Sequence, residues 1–162
     1  MQKFHKFYIH ESEYIRENDV IIFHYSFDKS VYFSEKITLS STIPFRKNID
    51  QSIVQDILFH ISIAFWISYY KLSPTTEIVI DSAKLNDQQK EYWKNFYTQW
   101  LWEFFYTNEI NFSQLCNFTS YSSREIKKHS FDLQEKILLP IWWGKDSIVS
   151  SILLENQEAT PF

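Results

Sequence analysis

The sequence predicts an α+β N-terminal domain over residues 1–135, leading into the first strand–loop–helix unit of a Rossmann-like α/β domain over residues 136–162. Three observations carry this. Two β-rich runs come early, at Val20–Phe27 and Val31–Leu39. Two long stretches with apolar residues every three or four positions follow, separated by one short strand. Finally, Lys136–Glu155 joins a short apolar run to helix-spaced apolar residues through Trp142, Trp143, Gly144, Lys145, Asp146 and Ser147.

In chain order, Phe4–Ile9 reads as an edge strand and Val20–Phe27 as a near-continuous β run. Val31–Leu39 alternates, with Val31, Phe33, Glu35, Ile37 and Leu39 on one face. Asp28-Lys29-Ser30 suits a hairpin connection. Glu35 on the apolar side marks either an edge strand or a shifted register. Pro44 closes this section. Asn48 and Gln51 have capping-box spacing, and a helix is expected from about Asp50 to Leu72 with Ile53, Ile57, Ile61, Ala64, Phe65 and Ser68 as its apolar stripe. His60 lies beside that stripe as a core or boundary histidine. Ser73-Pro74 ends the helix, and Glu77–Ile80 is a short buried strand. Asn86 caps a second helix, with Gln89 at the box position, running to about Thr107. Its stripe of Tyr92, Trp93, Phe96, Tyr97, Trp100, Leu101, Phe104 and Phe105 reads as core. Asn111–Asp132 is a polar loop whose Arg124, Lys127, Lys128 and His129 form a small basic cluster, read as a solvated face, with contact to an anionic ligand as the sharper alternative. Lys136–Ile141 is a strand and Asp146–Glu155 a helix. Thr160–Phe162 approaches a second strand, so the nucleotide domain is expected to be unfinished here.

Composition narrows the function. The 162 residues are 44% apolar and 19% aromatic, enough for one real core. The net charge is −4 with no basic block, which argues against nucleic acid as a main partner. The single cysteine, Cys116, excludes an internal disulfide, fits a reducing compartment and reads as a buried thiol. The N-terminus has no signal-peptide h-region, and no run approaches about 18 uninterrupted apolar residues. A cytoplasmic protein that does not span a membrane is expected. Average usage predicts roughly 11 glycines in this length; there is one, Gly144. Turns needing positive φ must therefore use Asn, Asp or strained residues.

A strand, a tight turn and a helix N-terminus direct free backbone N–H groups and the positive end of the helix dipole at one place, an anion site. Ser147 in the first turn adds a hydroxyl donor. This loop resembles the SGGxDS or GGGKDS loop of the PP-loop (N-type) ATP pyrophosphatases. The wording of Leu139–Val149 is similar to that of the UDP-N-acetylmuramoyl-L-alanyl-L-glutamate epimerase family. Two further segments resemble that family. Trp66-Ile67-Ser68-Tyr69-Tyr70-Lys71 is similar to its G-[VI]-S-Y-Y-K, and Trp100–Asn108 to its G-L-[AG]-E-F-x-Y-x-N. The resemblance runs from about Ile53 to Phe162.

It implies a PP-loop nucleotide domain beginning near residue 136, ATP cleaved between its α and β phosphates with Mg²⁺ assistance, and adenylation of a glutamate carboxylate. The implied substrate is a nucleotide-sugar peptide, UDP-MurNAc-L-Ala-L-Glu, whose terminal L-glutamate becomes D-glutamate. Positions 142–144 would cradle phosphate and Ser147 would donate to it. Lys145 would offset phosphate charge or be solvated, and Asp146 would orient the loop, sit near the metal or act as a helix-start acid. Ser68, Tyr69, Tyr70, Lys71, Glu103, Tyr106 and Asn108 match family motifs, with Tyr70 and Lys71 facing the nucleotide sugar or packing. No residue is assigned as the epimerisation base, which is expected beyond Phe162 in a C-terminal half of the same enzyme, and no metal-ligand set is assigned.

The departures share a pattern. Trp66, Trp100, Trp142 and Trp143 stand where the family has glycine, and Trp102 where it has glycine or alanine. UGA is read as tryptophan in some genetic codes and as glycine in others, so one recoding explains the glycine deficit, the tryptophan excess and the altered loop. As written, two indoles fill the cradle. That leaves a second reading, a non-catalytic fragment or binding module with a blocked ATP loop. A third is a PP-loop enzyme adenylating a different substrate. The intact mass of the protein from its native source is expected to match glycine in place of these five tryptophans, with more chain after Phe162. A mass with all five tryptophans removes the recoding.

Overall fold

The computed structural model describes residues 4–39, 49–131, 136–139, 144–155 and 159–161. They fall into two units, Met1–Lys127 and Lys128–Phe162; the expected domain boundary was at 135/136.

The first unit is a mixed α/β fold. Strands β1 (Lys6–Ile9), β2 (Glu13–Ile15), β3 (Val20–Phe27), β4 (Val31–Thr38), β5 (Glu77–Ile80) and β6 (Asn117–Ser120) form one mixed sheet. β3 is antiparallel to β4 along one side. Its other side is divided, with Val20–Ile22 paired to β2 and Tyr25–Phe27 to β1. β1, β5 and β6 run parallel. β1 is therefore internal rather than the expected edge strand: Phe7 and Ile9 are fully buried between β3 and β5. Among the described residues β4 pairs only with β3, an edge position that accounts for Glu35 on its inner side.

Phe7, Ile9, Phe23, Tyr25, Ile78 and Ile80 pack in one core with residues of helices α1 (Gln51–Phe65), α2 (Ile67–Tyr70), α3 (Asp87–Trp100) and α4 (Trp102–Thr107). Asp50 caps α1, accepting from the Ser52 N–H at 2.8 Å; the expected capping residue Asn48, like Pro44, lies outside the described residues. The expected stripe of α1 is out of phase. The buried side carries Val54, Leu58, Phe59 and Ile63, while Ile57, Phe65 and Ser68 are exposed. α1 carries apolar residues on more than one side, and polar Asp56 and Ser62 lie on the buried one, so periodicity alone did not select a face. It breaks at Trp66, and α2 ends at Tyr70 rather than Leu72. The stretch Gln51–Tyr70 is long and apolar enough by composition to cross a bilayer, yet its buried side packs in this core.

α3 carries the expected capping box. The Gln89 N–H donates to Asn86 Oδ1 at 2.8 Å and the Asn86 N–H to Gln89 Oε1 at 2.9 Å. The helix expected to reach Thr107 instead breaks at Leu101. Its stripe narrows to one residue per turn, Trp93, Tyr97, Leu101 and Phe105, with Tyr92 and Trp100 exposed. The segment expected to be a loop, 111–132, contains β6, a short polar strand parallel to β5.

Positive φ falls on Asp19, Asp28, Lys29, Glu109 and Cys116. Asp28 (φ 49°) and Lys29 (φ 52°) take positive φ in the three-residue connection Asp28-Lys29-Ser30 between β3 and β4, where the Ser30 N–H donates to the Phe27 carbonyl at 2.9 Å. The Asp28 carboxylate repays part of that strain by accepting from the Lys6 N–H at 2.7 Å. Glu109 (φ 54°) follows α4 in a Schellman cap, with the Glu109 N–H donating to the Tyr106 carbonyl at 3.2 Å and the Ile110 N–H to the Phe105 carbonyl at 2.8 Å.

The second unit contains β7 (Ile137–Leu139), α5 (Lys145–Leu153) and β8 (Ala159–Pro161). β7 and β8 are parallel, Ile137 opposite Ala159 and Leu139 opposite Pro161, with α5 as the crossover. Ile148, Val149, Ile152 and Leu153 of α5 are exposed.

A left-handed residue other than glycine costs about 1–2 kcal/mol. Glu109→Gly is therefore expected to raise stability by about 1 kcal/mol, a rise in Tm of about 3 °C, read by thermal unfolding. No change, or a fall, removes the strain argument.

Candidate functional site

At the loop before α5, Trp142 and Trp143 lie outside the described residues. Gly144 is the N-cap residue of α5, with extended backbone (φ −151°, ψ 159°) and no side-chain cap. A Cβ there would meet nothing within 4 Å, so this conformation does not itself demand glycine. Lys145 and Asp146 are exposed and Ser147 is half-buried in the first turn, beside amide N–H groups that need partners from outside the helix.

The other motif residues divide by environment. Tyr70 is fully buried: its hydroxyl donates to the Thr75 carbonyl and accepts from the Cys116 N–H at 3.3 Å. Burial pushes the Tyr70 phenol well above its ordinary range, and this is a packing position. The Tyr69 hydroxyl donates to Glu35 Oε2 at 2.7 Å, and that hydrogen bond, with burial, raises its pKa. Ser68, Lys71, Glu103, Tyr106 and Asn108 are exposed. Lys71 Nζ lies 5.9 Å from the Phe104 ring centroid, so the segments around residues 66–71 and 100–108 meet in space. The Asn108 amide caps its own helix, donating to the Phe104 carbonyl at 2.8 Å. Cys116 is a buried thiol pushed up to about 11 by burial. His60 is half-buried and burial lowers its pKa, as a boundary histidine should behave.

Sequence reading missed a polar cluster at the carboxyl ends of β1 and β5. His10 follows Ile9 and Asp81 follows Ile80, which are register partners. His10 Nδ1 lies 2.6 Å from Asp81 Oδ2, and His10 Nε2 lies 2.9 Å from the fully buried Ser26 Oγ. A neutral ring with its hydrogen on Nδ1 satisfies both contacts. Tyr8 and Tyr32 flank the imidazole nearly parallel, with centroids 6.0 and 5.9 Å away. At the opposite, amino ends of the same two strands, Lys6 Nζ pairs with Glu77 Oε2 at 2.8 Å. Burial pulls the Glu77 carboxyl up, but hydrogen bonds from Lys6, Thr119 and Tyr121 outweigh it and hold the pKa low. Ser26 and Asp81 stand 16 and 71 residues from His10, so no local motif marks the group; the one signal was a polar pair, Asp81-Ser82, directly after a buried strand.

Arg124, expected on a solvated basic face, is half-buried. Its Nη1 lies 2.5 Å from Oδ1 of the buried Asp56, and its Nε–H donates to the Ser82 carbonyl at 3.0 Å. The Lys127 N–H donates to Asp56 Oδ2 at 3.1 Å. Among the described residues, no group of three or more His, Cys, Asp or Glu is arranged to hold a metal ion.

A family model, the MurL N-terminal domain, matches residues 1–162. Comparison with curated proteins and with solved structures found no match.

Removing the cation of a buried pair leaves an uncompensated charge. Arg124→Ala is expected to cost about 3 kcal/mol of stability, measured by urea unfolding. A loss under about 1 kcal/mol would show the pair to be surface-like.

Proposed function

We propose, from the premise that the chain belongs to the MurL N-terminal domain family, that it is the N-terminal part of an ATP-dependent epimerase acting in peptidoglycan precursor synthesis. The reaction inverts the terminal L-glutamate of UDP-MurNAc-L-Ala-L-Glu, in the cytoplasm. The observation that carries this reading is the family match along residues 1–162. The strand–helix–strand arrangement of the second unit supports it as the leading part of a PP-loop domain, which the C-terminal half would extend.

The residues present at α5 suit a phosphate. Gly144 stands at the N-cap, the first turn offers amide donors, and Lys145 is exposed. ATP, with Mg²⁺, supplies an adenylyl group that removes the negative charge of the glutamate carboxylate, so that loss of the α-proton no longer leaves a carbanion beside a full charge. Backbone N–H groups and the Ser147 hydroxyl would hold the phosphates. Lys145 would offset their charge, and Asp146 would orient the loop or stand near the metal.

One observation favours a second reading. The sequence carries two bulky tryptophans, Trp142 and Trp143, where the family loop has glycines, and a chain that truly carries them would be a binding module rather than an ATP-using enzyme.

The test compares the complete gene product carrying Trp66→Gly, Trp100→Gly, Trp102→Gly, Trp142→Gly and Trp143→Gly with the form as written. Given ATP, Mg²⁺ and UDP-MurNAc-L-Ala-L-Glu, the glycine form is expected to release pyrophosphate and yield D-glutamyl product. The form as written should turn over at least about 100-fold more slowly. Absence of D-glutamyl product from the glycine form overturns the epimerase reading; equal turnover by both forms overturns the blocked-cradle argument.

A further inference from the structure

We propose that Asp81 is the carboxylate that takes the α-proton of the glutamyl residue, and that His10 is the residue that positions it. This rests on the epimerase reading above, which leaves the base unassigned.

The geometry argues for it from the backbone outward. In sheets with parallel strands, sites collect at the carboxyl ends. Asp81 is the first residue beyond β5, and His10 the first beyond the adjacent parallel strand β1. The imidazole is held by Asp81 at Nδ1 and Ser26 at Nε2, with the rings of Tyr8 and Tyr32 nearly parallel to it at 6.0 and 5.9 Å. Both ring nitrogens face protein groups, and the partner of Nε2 is fully buried, so neither nitrogen is open to a substrate's α-proton. Ser26, fully buried, is not open to substrate as a nucleophile. The open end of the chain is Asp81, whose side chain is 33% exposed. Its Oδ2 accepts from His10 and its Oδ1 has no partner among the described residues. One carboxylate oxygen is thus fixed and the other is available, the arrangement a positioned base needs.

The step balances. Asp81 Oδ1 takes the α-proton, the C–H bond breaks and an O–H bond forms. The electron pair left on carbon delocalises into the adjacent activated carbonyl. A water molecule protonates the opposite face, and the hydroxide left behind takes the proton from Asp81. His10 keeps its own proton throughout and holds the carboxyl group in place.

The test uses the complete gene product carrying Trp66→Gly, Trp100→Gly, Trp102→Gly, Trp142→Gly and Trp143→Gly, assayed in D₂O for D-glutamyl product and for α-deuterium. Asp81→Asn keeps the shape and removes the base. It is expected to lower kcat at least about 100-fold with KM changed less than about threefold, and to abolish deuterium incorporation while thermal unfolding stays near that of the parent. His10→Asn places an amide N–H near the Nδ1 position and His10→Gln places one near Nε2. The asparagine variant is expected to turn over about tenfold faster than the glutamine variant, which a purely structural histidine would not produce. Glu13→Gln, which alters the exposed His24 pair on the same sheet, serves as the unaffected control. An active parent whose Asp81→Asn form keeps kcat within about threefold overturns this proposal alone. Equal rates for the two His10 variants overturn the positioning role. A parent that forms no D-glutamyl product overturns the epimerase reading and this proposal with it.

Discussion

The first unit depends on the parallel pairing of Lys6–Ile9 with Glu77–Ile80. It joins segments 71 residues apart, so a long loop must close before any of its contacts form. What offsets that cost is burial on both sides. Phe7, Ile9, Ile78 and Ile80 are all fully buried, and β1 receives β3 on its other flank. The register is equally constrained. A slip of one residue would turn Phe7 and Ile9 out of the core and part His10 from Asp81. The pairing that builds the core therefore also assembles the polar cluster.

Within that core, large polar aromatics are handled with care, with one exception. The hydroxyls of Tyr25 and Tyr97 donate to the carbonyls of Ser62 and Ile63, and that of Tyr70 to Thr75. Trp66 is almost completely buried, but its indole Nε1–H has no partner among the described residues. Its ring centroid lies 3.1 Å from that of Tyr25, closer than the usual 4.5–7 Å for aromatic pairs. A buried donor left unpaired costs about 1–3 kcal/mol. Trp66 is also one of the positions where the family motif carries glycine, which would remove both the donor and the crowding. The shortage of glycine shows again in the turns. Asp28, Lys29 and Glu109 take left-handed conformations that glycine would adopt without strain, and hydrogen bonds from the same turns hold them there.

The polar groups outside the core are distributed unevenly. Arg124 and Asp56 tie the segment after β6 to α1 and to the turn after β5, so a stretch that looks like solvated loop is anchored by charge. The motif residues near 66–71 and 100–108 are partly core and partly surface, joined where Lys71 lies over Phe104. The α5 N-terminus belongs to the other unit and has its own parallel strand pair.

What the sequence determined by itself was local. β3 and β5 stand at the residues their β-rich runs marked, the Asn86–Gln89 box caps α3, and positive φ fell on Asp and other non-glycine residues because only one glycine was available. Each rests on interactions within a few positions, or on one run's own apolar content. The motif spacing likewise pointed to the family. Tertiary structure alone decided the rest. β1 is central because its partners are β3 and β5, neither of which its four residues specify. α1 turned Val54 and Leu58 inward rather than Ile53 and Ile57, since a helix with apolar residues on more than one side takes its buried face from the sheet it meets. β6 is a strand because β5 offers its edge to a polar segment with little strand character of its own. Ser26, His10 and Asp81 became one group only because three strands set side by side brought together residues that no spacing connects.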